Sequence, residues 1–416
     1  MAQEKLEKRE IEISLDFSRI FNFLSKHKTA LSLLLLLGIF YLSLSVRLAS
    51  VDEPYLLAAD PHYWYRMTKF IVEGNIPEKD LLRLRPEPGE FNPGLFPYFA
   101  AYSYHITNFF IDIEFYRFLF WFPAIVAALS VFPAFWIGRE LHSNKAGLFS
   151  AFFIGMTPSI LSRTTAGFFD TDCMNIFLSL LIVALFLSAY NRIKVENLKK
   201  LTPIILSALC GLSLAIFALT WGGFSYIPWL FIGLFVFHWG YKILIAKGNG
   251  IKEKIKHSFS FFKGHLLVYV LIFLTFFIFT FPFKGFAPLN SIIDTTTFFQ
   301  VAKAEGGIFP NVWVSISEEM SASLNQIIVR VGGPIFWFGI LGLISLAYLF
   351  LRNFGKESIY PETFFFMMIW ILPTLYGSFW AVRFAMLLSI PLSICAGIAL
   401  AILFDFCIKR MRKYGE

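Results

Sequence analysis

The sequence predicts an all-α polytopic membrane protein, a bundle of about ten spanning helices with two long loops on one side. Composition is the first reason: 57% of the 416 residues are hydrophobic and 15% charged, against roughly a quarter charged in soluble domains. The second is the recurrence of apolar stretches of about 20 residues, the length that crosses roughly 30 Å of hydrocarbon. The third is charge placement. With the N-terminus inside, 24 of the 36 Lys and Arg fall on inner segments, as the positive-inside rule requires.

In chain order, residues 1–28 form a polar, basic tail assigned to the cytoplasm, with no cleavable signal pattern. Residues 29–408 form the transmembrane unit. Its spans are expected near 29–46, 117–138, 147–164, 174–190, 201–219, 223–242, 265–283, 328–351, 362–380 and 384–408. The apolar patch 95–112, with Asn92, Pro93, Pro97 and His105 in or beside it, reads as an interfacial or re-entrant helix. The two outer loops, 47–116 and 284–327, are of a length that is uncommon unless functional. An even span count returns the basic tail 409–416 to the cytoplasm. The net charge of +8 therefore has a topological cause and does not indicate nucleic acid. Cys173, Cys210, Cys395 and Cys407 are scattered and suggest neither a disulfide framework nor a zinc site.

Four acids, Asp60, Asp170, Asp172 and Glu318, lie in polar breaks between apolar runs, and the topology puts all four on the outer side. Carboxylates at a membrane boundary are costly to desolvate and take a partner or a function. Asp60 opens Asp60-Pro61-His62-Tyr63-Trp64-Tyr65-Arg66 and is either a metal ligand or the N-cap of a helix beginning at Pro61. Arg66 either meets a phosphate, pairs with Asp60 or snorkels to the interface. In Gly167-Phe168-Phe169-Asp170-Thr171-Asp172, two carboxylates two residues apart in a short turn can share one hard cation or cap the next span. Glu318 and Glu319 follow Ser315-Ile316-Ser317, which reads as a capping box, a solvated loop or the end of a flexible arm. Thr295–Thr297 and Gly306-Gly307 upstream favour an arm that orders over a substrate. Trp221-Gly222-Gly223 reads as a tight turn. Arg383, set in an apolar run, needs either an anion such as a lipid phosphate, which guanidinium grips with two bonds, or an internal acidic partner.

These motifs, in this order, resemble the catalytic subunit of oligosaccharyltransferase, of the GT-C class of membrane glycosyltransferases, over roughly residues 30–405. The resemblance implies a GT-C-like bundle. It also implies transfer of a glycan from a polyprenyl or dolichyl (pyro)phosphate carrier to a protein asparagine. In that reading Asp60, Asp170 and Asp172 hold Mg2+ or Mn2+, and Asp60 also contacts the acceptor amide. Glu318 hydrogen-bonds the acceptor nitrogen, and Arg383 holds the carrier phosphate, with Arg66 a second candidate there. The resemblance further implies membrane lipids and a lipid-linked donor as partners, and favours the plasma membrane of an archaeon with the active site on the extracytoplasmic face. The family reads the acceptor sequence through a Trp-Trp-Asp-x-Gly motif, and no Trp-Trp-Asp occurs here. The chain is therefore expected to be a shortened form, natural or truncated. A lipid, a sugar or a peptide chosen by a partner subunit stays open as acceptor. A transporter would gather its ionisable residues at mid-membrane on broken helices; the outer position of these acids argues against one.

Overall fold

Long apolar stretches become long helices, because backbone groups inside a bilayer must satisfy one another. The computed structural model describes residues 28–49, 55–84, 88–196, 201–248, 250–294, 317–356 and 358–414. Nine helices among them are long and apolar enough to cross a membrane. They are carried by α1 (Lys28–Leu48), the pair α4 (Phe115–Ala128) and α5 (Val131–Leu141), α8 (Asp172–Glu196), α9 (Leu201–Thr220), α10 (Tyr226–Ile245), α11 (Ile251–Lys284), α14 (Gly333–Arg352), α15 (Tyr360–Trp380) and α16 (Phe384–Tyr414).

The stretch expected to span at 147–164 is the exception. It divides into α6 (Asn144–Met156) and the single turn α7 (Pro158–Leu161), separated by an extended Thr157. Pro158 is the cause, since proline disfavours the helical region for the residue before it. The two pieces still join the ends of the bundle. Lys145 pairs with Asp405 at one end, and Pro158 reaches the cavity at the other. The chain is thus a multi-pass helical membrane protein in which one expected crossing is divided into two pieces.

The bundle closes around α8, which is apolar on all sides and buried for nearly its whole length. Phe186 stacks on Phe231 there with centroids 3.9 Å apart. Far down α8 a polar cluster forms, with Tyr190 hydrogen-bonded to His238 Nδ1 at 2.7 Å and His238 Nε2 3.1 Å from Glu362.

The first outer loop is more structured than the sequence suggests. It holds α2 (Ala59–Val72), a two-stranded hairpin of β1 (Lys79–Leu84) and β2 (Pro88–Glu90), and α3 (Leu95–Phe110). The hairpin departs from the all-α expectation. The 95–112 patch is α3, whose 16 residues are too few to span. It buries Phe96, Ala100 and Ala101 and exposes Phe99, Tyr102, Ile106 and Phe109 on the opposite face.

The second outer loop begins with α12 (Ala287–Asp294) and resumes in a single 3-10 turn at Ser317–Glu319, followed by α13 (Leu324–Val331). Residues 295–316, with the Thr295–Thr297, Gly306-Gly307 and Ser315-Ile316 of the expected arm, lie outside the described residues. The capping box in this region is formed by Ser323 and Gln326, at the start of α13.

Candidate active site

One cavity of about 960 Å³ opens at the end of the bundle where both outer loops meet. Asp60, Asp170, Asp172, Glu318, Arg66 and Arg383 all line it. Four segments far apart in sequence bring them there.

Asp60 sits in the first turn of α2, and Ala58, not Asp60, is the N-cap. Ala58 holds φ at 67°, the one non-glycine residue with positive φ among the described residues. Such a backbone persists only where its surroundings impose it. Asp60 itself is solvent-exposed on the cavity wall.

The Asp170 turn is fixed from three sides. Gly167 N–H donates to the Phe120 carbonyl at 2.7 Å, and the Gly167 carbonyl accepts from Leu57 N–H at 2.9 Å. Trp64, one turn along α2 from Asp60, donates its indole N–H to Asp170 Oδ1 at 2.9 Å. Burial pushes the Asp170 carboxyl above its usual range and the nearby Asp60 charge adds to this, while the Thr171 backbone N–H, the Thr171 hydroxyl and the Trp64 indole oppose it. Asp172 begins α8 and takes a 3.4 Å hydrogen bond from Asn175 Nδ2.

Three arginines of the cavity, Arg66, Arg383 and Arg163, are engaged by acids. Arg66 grips Asp80 of the hairpin with both forks, Nη1 to Oδ1 at 2.6 Å and Nη2 to Oδ2 at 2.9 Å. It therefore neither pairs with Asp60 nor snorkels free to the interface, two of the placements the sequence allowed, because the buried Asp80 carboxylate supplies matched bidentate geometry. Arg383 pairs with Glu319, whose side chain is 5% exposed. This is the internal ion pair, and it makes Glu319 a structural partner rather than a solvated loop charge. Arg163 pairs with Glu318, and its Nε lies 4.0 Å from Asp172 Oδ2.

Backbone bonds hold the Glu318 segment in place. Arg383 N–H donates to the Glu318 carbonyl at 3.0 Å and Val382 N–H to the Met320 carbonyl at 3.0 Å. Trp221 also lines the cavity, so the Trp-Gly-Gly turn serves more than helix packing.

Among the described residues, no three His, Cys, Asp or Glu side chains group closely enough to hold a metal ion. The donor chemistry suits a hard divalent cation, since every candidate ligand is a carboxylate oxygen. Arg163 engages both Asp172 and Glu318 and neutralises that wall internally. The sequence reading passed over Arg163 and Asp80, and it named Glu319 and Trp64 without these roles. Arg163 alone carried a signal, as an arginine at the end of an apolar stretch four residues before Gly167.

Residues 31–414 match the family described as oligosaccharyl transferase STT3, N-terminal. The chain belongs to this family. A dolichyl-phosphooligosaccharide-protein glycotransferase of Methanococcus voltae is 27% identical over 463 residues, covering 95% of this chain and 49% of that protein. The oligosaccharyltransferase of Archaeoglobus fulgidus, solved in complex with an inhibitory peptide and a dolichol-phosphate, superposes with a TM-score of 0.67 at 19% identity, over 94% of this chain and 52% of that one. Its complex with Zn and sulfate superposes with a TM-score of 0.62 at 21% identity, over 90% and 50%. At these identities the solved structures establish the shared STT3 fold. The chain spans about half the length of the relatives it matches.

Proposed function

We propose that this STT3 chain carries the membrane-embedded reactive centre of an oligosaccharyltransferase. In this reading it transfers a glycan from a dolichyl or other polyprenyl (pyro)phosphate to an asparagine side chain. The observation that carries the reading is the single cavity lined by four acids from three separate segments, with Arg383 on its wall and apolar Phe384, Met386 and Leu387 beside it. The acids suit a cation and an amide, the arginine suits a phosphate, and the apolar wall suits a lipid chain. The name of the Methanococcus voltae relative, and the peptide and dolichol-phosphate bound by the Archaeoglobus fulgidus protein, support the same substrates here.

Asp60, Asp170 and Asp172 would hold Mg2+ or Mn2+. Such an ion supplies Lewis-acid neutralisation of charge on the departing phosphate. The residues do the rest. An amide nitrogen is a poor nucleophile because its lone pair is delocalised. Asp60 and Glu318 accept hydrogen bonds from the amide NH2, which weakens that delocalisation. The nitrogen then forms a bond to the anomeric carbon, the carbon–oxygen bond to phosphate breaks with its electron pair leaving on oxygen, and one amide proton passes to the carboxylate, Asp60 or Glu318, that accepts its hydrogen bond. Arg383 holds the phosphate with two parallel bonds, once it has exchanged Glu319 for it. Residues 1–28 and 409–416 are proposed as inner tails, and the cavity as facing outward from an archaeal plasma membrane.

The test is transfer from a lipid-linked oligosaccharide to an Asn-x-Thr peptide by the purified chain in nanodiscs, read as glycopeptide by mass spectrometry. Product is expected with Mn2+ and is lost in chelator and in Asp60→Ala. Transfer that persists in chelator sinks the metal assignment, and no transfer under any divalent ion sinks the activity.

A further inference from the structure

We propose that Asp80 is a positioning residue for the carboxylate wall of the cavity. It acts through Arg66, which it holds away from Asp60, and so fixes the hairpin beside the helix that carries Asp60. The inference rests on the metal reading above.

Arg66 lies on α2 six residues after Asp60, and both line the same cavity. A guanidinium on a long, flexible stem in a cavity of carboxylates pairs with the nearest one, and a divalent ion must then compete with it. The structure removes Arg66 from that competition. Asp80 takes both forks of the guanidinium, and its side chain is 3% exposed while that of Arg66 is 25% exposed. Asp80 is itself aimed, because Oδ1 also accepts the Leu82 backbone N–H at 3.1 Å. That bond falls just after Asp80, where the ladder loses its regular register. Leu82 in turn lines the cavity although it is 76% exposed. One carboxylate therefore does two things. It neutralises and parks the arginine carried on the same helix as Asp60, and it seats the hairpin whose Leu82 edges the cavity.

The two roles separate experimentally. Mn2+ binding to the full chain in nanodiscs is followed by electron paramagnetic resonance of the free ion. A nitroxide on Leu82→Cys reports hairpin mobility in a Cys407→Ser background, since Cys173, Cys210 and Cys395 are buried. Asp80→Asn is expected to raise the Mn2+ dissociation constant about tenfold, the lower end for loss of a residue supporting metal ligands, and to mobilise the label. Asp80→Glu, which keeps the charge, stays near wild type on both readouts. Asp80→Asn combined with Arg66→Met regains Mn2+ affinity, because the released cation is gone, but keeps the mobile label. A merely structural Asp80 gives no such recovery. The proposal is overturned if Asp80→Asn binds Mn2+ like wild type, or if the double variant binds as weakly as Asp80→Asn. If wild type takes up no Mn2+, the metal reading fails separately. The label then decides: immobility equal in wild type and Asp80→Asn overturns the latch, and mobilisation upholds it.

Discussion

Gly167 shows how tightly a single position sets the reactive turn. Its φ is +85°, and a Cβ there would stand 2.4 Å from the Tyr55 carbonyl oxygen and 3.0 Å from the Phe120 ring. Gly167→Ala is therefore expected to destabilise the protein by about 1–3 kcal/mol and to displace Asp170 and Asp172, lowering the thermal midpoint and transfer together. An unchanged midpoint would show that the turn relaxes freely. At this scale the sequence was readable where chemistry conflicts with surroundings. Asp60, Asp170, Asp172 and Arg383 stand out because charge is rare among apolar runs, and each lines the cavity. Their partners were not readable. Asp170 meets Trp64 across 106 residues, Arg163 meets Glu318 across 155 and Arg383 meets Glu319 across 64. No local pattern encodes which acid a given arginine will find.

At the scale of elements, the turn between α9 and α10 links helix packing to the cavity. The Trp221 indole lies over Gly223 so closely that a Cβ on Gly223 would stand 2.2 Å from the ring, while Gly222 is open. Trp221 is also backed by Phe217, with centroids 5.7 Å apart. Gly223→Ala is expected to swing the indole with little loss of stability, since a side-chain end can give way. The substrate KM should change instead, and Gly222→Ala should change neither. Equal effects at both glycines would return the motif to a packing role. Periodicity and hydropathy located the long helices well, because apolar length is a strong signal. They failed for α6 and α7, where Pro158 divides a stretch of correct composition, and for the hairpin, which Asp80 and its turn build in a loop with no strand alternation.

For the whole molecule, the proposed orientation rests on the basic connectors, with the cavity at the opposite end. Single-cysteine variants at exposed Leu82 and Lys247 test it in sealed cells with a membrane-impermeant thiol reagent, in a Cys407→Ser background. Leu82→Cys is expected to react from outside and Lys247→Cys only after lysis. The reverse pattern inverts the topology and the extracytoplasmic site with it. Nine of the ten spans expected from composition are long apolar helices among the described residues, yet convergence of the four acids was not readable, since it depends on how α2, α8 and the Glu318 segment pack around one opening.

The division of the 147–164 stretch bears on how deep the proposed chemistry lies. α6 alone has 13 residues and rises about 20 Å, roughly 10 Å less than the hydrocarbon slab. Pro158, Ser159 and Arg163, which follow it, line the cavity. On the proposed outward orientation, Ser159 and Arg163 are expected to lie below the headgroup plane. The proposed lipid-borne phosphate is then expected to reach them by sinking alongside the protein, with its chain still dissolved in the membrane, rather than by being lifted out into water.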